Sequence, residues 1–287
     1  GALGSFFRNP IRRFMQQRLR VHEPREVELV EEEPFDLGGL ELWQIRKAML
    51  DQALRDEGAE PAAVLRARGL LPHGTPGLHT VSNIEQEISA ITQHLPQPPP
   101  LHRTPIDVEL EVVPPSGNSW RIVGRLHRCY AETGLLELSA SKYLAVDVLS
   151  LWIEHLCACA AGSAPGGESL FVARDKACRL APVADGEALE LLAGLVSVFE
   201  AGQVSPLPFS RKASSAWIEK WSKSGDEAAA LKSARSAWRS RPGYPGDGGD
   251  FYVQLLLRGR EWEPDEAFAA VAKAVLEPMQ QHMETLS

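Results

Sequence analysis

The sequence predicts an α/β protein in which a small mixed sheet is flanked by helices and preceded by a helical N-terminal part. Three observations carry this. Residues 106–113, IDVELEVV, alternate apolar and acidic side chains, the period of a strand with one buried face. The stretch from Trp120 to Gly162 reads as strand, turn, strand and long amphipathic helix. Between the two halves, Pro96 to Pro105 carries five prolines in ten residues, a linker that neither a helix interior nor a central strand accommodates.

Composition narrows the function classes. A chain of 287 residues with 44% hydrophobic content is long enough to bury roughly three quarters of its unfolded surface. No apolar run is long enough to span a membrane and no signal peptide is evident, so a soluble, cytoplasmic protein is expected. Four cysteines argue against a secreted disulfide scaffold. A net charge of −8 excludes an indiscriminate binder of polyanions.

Taken in order, the opening GALGS reads equally as an expression scar or as native sequence, and a chain without an initiator methionine is expected to be a piece of something larger. Phe6 to Arg20 has helical spacing of Phe7, Ile11, Phe14, Met15 and Leu19, with Asn9-Pro10 as a start signal. Its other face carries Arg8, Arg12, Arg13, Arg18 and Arg20 without an acid. That face suits phosphate or a partner subunit, or is simply solvated. Glu23 to Asp36 holds seven acids and one arginine, an extended surface segment that folds back on the basic helix or lies in solvent. Helices follow at Leu40–Glu57 and Pro61–Gly69, then a loop and a helix over Leu70–Glu87, with His79 read as an exposed loop imidazole.

Past the linker, Arg121–Tyr130 and Leu135–Lys142 form the expected hairpin, with Gly134 free to take positive φ in the turn. Strand parity sets Leu136, Leu138, Ala140 and Lys142 on one face and Glu137 on the other. A helix over Tyr143–Ala161 follows, then strands at Ser169–Ala173 and Ala177–Pro182. A capped helix at Asp185–Ala201 leads to helices at Ser214–Lys223, Glu227–Arg239, Phe251–Arg258 and Asp265–Met283. The glycine-rich Arg241–Asp250 lacks the lysine and preceding strand of a phosphate-binding loop and reads as flexible surface. Cys129, Cys157, Cys159 and Cys178 have no metal-site spacing and are expected as buried thiols. Trp217, Trp221 and Trp238 are expected as core or interface anchors.

The hairpin resembles the PD-(D/E)xK (restriction-endonuclease-like) core, which reads Gly-x-Ile-Asp on one strand and Asp-x-Lys on the next. Gly124-Arg125-Leu126-His127 and Ala140-Ser141-Lys142 stand in those places. The glycine and Lys142 match, while the two carboxylates are replaced by His127 and Ala140. Pro72, Gly74, Gly77 and Glu85 resemble a RecB-like nuclease segment whose ligand histidine is here Val81. Magnesium wants hard oxygen ligands in near-octahedral array, so the resemblance implies a nuclease scaffold without catalytic groups, metal or cofactor.

Taken as a series, FFRNPIRRFMQQRL, EEEPFDLGGLELWQI, RARGLLPHGTPG, GLLELSASKYLAVDVLSLWIEHLCACAAG and ESLFV resemble the C-terminal domain of the RecC family. RecC proteins are the gamma subunits of bacterial exodeoxyribonuclease V, the RecBCD helicase–nuclease. The likeness implies a division into residues 1–5, a helical part over 6–99 and an α/β nuclease-like core over 100–287. It also implies RecB and RecD as partners, with DNA met as a duplex end and separated strands in the bacterial cytoplasm. Chemistry would reside in the partner subunits. Two rivals stand beside this expectation: an active metal-dependent nuclease with migrated ligands, and a purely protein-binding module.

Overall fold

The chain is built around its most apolar helix, Ala145–Ala160, which is buried on almost every face, from Val146 and Leu149 to Leu156 and Cys159. A helix apolar all round belongs in a core. The computed structural model describes residues 1–24, 39–53, 75–95, 103–130, 134–163 and 167–286. The helix expected at Pro61–Gly69, most of the acidic segment and most of the proline-rich linker lie outside them.

Two short helices, α1 (Ala2–Arg8) and α2 (Pro10–Gln17), stand where one was expected. Asn9 divides them: its backbone is extended, and its side-chain oxygen accepts the Arg12 amide at 2.9 Å, with Pro10 at the first helical position. Phe6, Phe7, Ile11 and Met15 are buried, which turns the arginines outward. Helices α3 (Gly39–Ala53) and α4 (Thr75–Thr92) pack through Ile45, Met49, Val81 and Ile84, and Arg46 donates to Glu87 at 2.7 Å. His79 lies on α4 and not in a loop, because the helix already starts at Thr75.

The predicted first hairpin strand, Arg121–Tyr130, is split between two sheets. Strand β2 (Trp120–Leu126) pairs antiparallel with β1 (Ile106–Val112), while β3 (Cys129–Tyr130) belongs elsewhere. Only residues 113–119 join β1 to β2, with Gly117 at φ +80°. A partner so close in sequence is reached at less chain entropy than a remote one. His127 and Arg128 then carry the backbone across.

The second sheet has five strands in the order β3, β4 (Gly134–Leu138), β5 (Ser169–Val172), β6 (Ala177–Leu180) and β7 (Met283–Leu286). Strands β4 and β5 are parallel and the other neighbours antiparallel. The core helix, α5 (Ala145–Ala160), supplies the crossover that a parallel pair requires. Gly134 does take positive φ, +70°. Strand β4 stops at Leu138, short of the expected Lys142, because the chain bends at Ala140 and Ser141 to enter α5. The approach to that helix is fixed by Asp175, whose carboxylate accepts the Tyr143 amide at 2.7 Å. Side chains alternate as a strand demands: Leu135, Phe171 and Cys178 face α5, while Leu138, Leu170, Val172 and Ala177 face α3 and α4.

Beyond the sheet lie α6 (Asp185–Val204), α7 (Arg211–Ser224), α8 (Glu227–Trp238), α9 (Phe251–Leu257) and α10 (Glu266–Gln281). Asp185 does not cap α6; Ala184 holds that position without a side-chain bond, and Asp185 sits inside the first turn, where it still complements the helix dipole. The first half of the glycine-rich loop, residues 241–245, is exposed surface as expected, but from Gly246 it packs closely. A Cβ on Gly246 would meet the Trp238 carbonyl at 2.2 Å, and the Asp247 carboxylate accepts the Lys212 and Ala213 amides at 2.7 and 2.9 Å. All four cysteines are buried free thiols; Trp217 and Trp238 are core, and Trp221 is half-buried beside them.

Candidate site: an arginine-lined cleft beside the central helix

A cleft of about 590 Å³ opens where the end of β4 passes between α1, α3 and the start of α5. Arg8, Lys47, Arg103, Arg128 and Arg211 reach it, together with Glu137, Ser139, Ala140, Ser141 and Asp147. Five are placed by elements already described: Arg8 ends α1, Lys47 is on α3, Glu137 on β4, Asp147 in the first turn of α5 and Arg211 at the start of α7. Residues 136 to 141 all border the cleft, so side chains from both faces of the end of β4 reach it, and Glu137 meets Arg128 beside α5, on the Leu135 side of the strand.

Both cleft carboxylates are engaged by guanidinium groups. Arg211 grips Asp147 through two bonds of 2.7 and 2.6 Å. Arg128 holds Glu154 at 3.2 and 2.7 Å and lies 2.5 Å from Glu137 through its remaining nitrogen. That last contact is close but poorly aligned, since Glu137 Oε2 is buried without a well-formed hydrogen bond. Burial therefore dominates at Glu137 and raises its pKa, with Arg128 and Arg8 pulling the other way. At Arg128 burial opposes the charge, and Glu137 and Glu154 more than offset it, so its pKa is raised.

This donor set does not suit a divalent ion. Magnesium needs several free oxygens at near-octahedral positions. Here Ala140 offers a methyl, and Glu137 and Asp147 already face arginines. Among the described residues no three His, Cys, Asp or Glu side chains gather as a metal-holding group.

The four sequence-selected nuclease positions lie in four different places. Ala140 lines the main cleft. His127, exposed, lines a neighbouring cleft of about 320 Å³ that shares Arg8 and Arg128 with the first. Val81 is 4% exposed in the core between α4 and the far face of the sheet. Lys142 is exposed and lines neither cleft. Of the basic face, Arg8, Arg12 and Arg13 line a third cleft of about 290 Å³, while Arg18 and Arg20 are exposed beyond it. Sequence reading missed Arg103, Arg128 and Arg211, whose partners are remote in the chain, and Lys47, which lies over Trp43 on its own helix.

A second polar centre lies in the core, where His155 is 1% exposed. Its Nε2 lies 3.0 Å from the Ala181 carbonyl, which can only accept, so that nitrogen carries the proton and Nδ1 accepts from Ser169 Oγ at 2.8 Å. Burial pushes its pKa down to about 4, against the pull of the Ala181 bond. Trp152 stacks on both His155 and His282.

The sequence model of the RecC C-terminal domain family matches residues 1–222. Among curated proteins, the RecBCD enzyme subunit RecC of Escherichia coli (strain K12) is 29% identical over 289 aligned residues, covering 96% of this chain and 25% of the relative. RecC of Mycolicibacterium smegmatis is 29% identical over 75% of this chain and 20% of its own. RecC of Mycobacterium tuberculosis (strain H37Rv) is 26% identical over 84% of this chain and 22% of its own. The chain thus spans a quarter or less of the length of these relatives.

Proposed function

The chain belongs to the RecC C-terminal domain family, and from that premise we propose that it is a non-catalytic, nuclease-like module of a RecBCD-type helicase–nuclease. In this reading the mixed α/β fold descends from a PD-(D/E)xK core whose motif positions Val81, His127, Ala140 and Lys142 no longer converge. The single observation that supports it most is that the carboxylates lining the main cleft, Glu137 and Asp147, are engaged by Arg128 and Arg211 and Ala140 beside them offers only a methyl, which leaves no set of free oxygens for a divalent ion. A guanidinium neutralises charge but cannot polarise a bound water into a nucleophile. The scaffold therefore serves to dock RecB or RecD and to guide DNA, as a duplex end and as separated strands, during double-strand break repair and recombination in the bacterial cytoplasm. Nuclease and helicase chemistry belongs to the partners. Among the described residues no helix is long and apolar enough to cross a membrane.

The test is a magnesium and manganese titration with end-labelled single- and double-stranded DNA. The reading expects no cleavage at any metal concentration. Metal-dependent cleavage abolished by Lys142→Ala would establish the rival, an active nuclease with migrated ligands. Absence of any DNA affinity in the assembled complex would favour a purely protein-binding module.

A further inference from the structure

We propose that the three clefts around Arg8 form one track for the phosphodiester backbone of a single-stranded nucleic acid; this rests on the DNA-guiding reading above and gives it a surface. Arg8 is common to all three clefts. It is exposed, and among the described residues it has no carboxylate within ion-pair distance. Arg12 and Arg13 on one side and Lys47 and Arg103 on the other share that lack of an acidic partner. Aromatic rings hold several of them instead. Arg12 lies 5.5 Å over the Tyr252 ring and Lys47 5.2 Å over Trp43, and Arg103 donates to the Tyr130 hydroxyl at 3.0 Å. A ring orients a cation without neutralising it.

What sets these cations apart is that they share connected clefts, whereas several arginines elsewhere are spent on carboxylates. Arg46, Arg179 and Arg239 each face a glutamate at 2.7 Å or less. In a chain of net charge −8, uncompensated cations gathered along connected clefts make a local field for an anion. The cleft shape favours one strand over two. A concavity of about 590 Å³ takes a nucleotide and its flanking phosphates, not a double helix. Trp43, 38% exposed on its wall, offers a base a ring to stack on.

Fluorescence anisotropy of a labelled oligothymidine of about 12 nucleotides, titrated with the whole 287-residue chain, decides the matter. Arg8→Ala, whose exposed side chain leaves the core untouched, is expected to weaken binding about threefold or more and to lower the salt slope by about 0.7. Arg8→Glu is expected to weaken it about tenfold, and Arg239→Ala, on a paired surface arginine, to change nothing. Matching thermal melts for the variants confirm folding. Equal affinity and salt slope in Arg8→Ala overturn the track and leave the DNA-guiding reading standing, as does duplex binding without single-strand binding. No binding of either form, by the chain or by the assembled complex, overturns both. Binding of inorganic phosphate or polyglutamate without the oligonucleotide overturns the track and marks the clefts as a site for a small anion or an acidic peptide.

Discussion

Arg8 and Arg128 line the same cleft, but their electrical surroundings are opposite. Arg128 is enclosed by Glu137 and Glu154, its side chain 27% exposed and its charge spent on two carboxylates. Arg8 stands in solvent and, among the described residues, faces no carboxylate within ion-pair distance. The first is a structural tie between β4 and α5; the second makes no ion pair, and Glu137 feels its charge only at a distance. Nothing in the identity of an arginine distinguishes the two roles. What faces it does.

Removing charge from each region should give opposite results. The largest effect is expected at Arg128→Met, which leaves two part-buried carboxylates facing each other unpaired and should cost about 3–4 kcal/mol in urea unfolding. Adding Glu137→Gln and Glu154→Gln to that variant should recover most of the loss. If Arg128→Met alone unfolds like the parent, the ion cluster is not the tie described.

Acid comes next, through the core and not the cleft. His155 has a folded pKa of about 4, below the ordinary 6.5, so the unfolded chain takes the proton first. Stability from neutral His155 is therefore complete above pH 6.5 and declines as pH falls toward 4, a loss of up to about 3 kcal/mol. His155→Gln should flatten that limb of the stability profile, and an unchanged limb would contradict the assignment.

The smallest effect, and the sharpest contrast, is at Glu137→Gln alone. Because burial raises the Glu137 pKa in spite of Arg128, the ionised carboxylate is a net cost to the fold at neutral pH. Arg128 keeps Glu154 as a partner, so the change should be within about 1 kcal/mol of neutral or stabilising. A loss comparable with Arg128→Met would show that the two partners are equally needed.

Local patterns explain how much of this was legible. The alternation in Ile106–Val112, the unbroken apolar helix Ala145–Ala160 and the Asn9-Pro10 start are written in neighbouring residues, and the mixed α/β architecture follows from them. Strand β7 was not foreseen, because four residues, METL, with no buried side chain have no period to read, and their order comes from pairing with β6. The loop glycines at 246 and 248 suggested freedom in sequence but serve close approach to Trp238 in space.

The site was legible only as residue types. His127 and Ala140 were visible as replacements for carboxylates, yet their positions depend on where β2 and β4 end, which is settled by tertiary pairing. Arg128 gave no signal at all, since the helix that carries Glu154 lies beyond the turn and strand that follow it.

The central claim is that guanidinium groups engage the carboxylates of the main cleft and leave it without a site for a divalent ion. Manganese binding to the wild-type chain, followed by electron paramagnetic resonance of the free ion, tests it most directly. The account expects the free-ion signal to rise with added manganese as in buffer alone. Saturable loss of that signal at one ion per chain, removed by Glu137→Gln or Asp147→Asn, would contradict it.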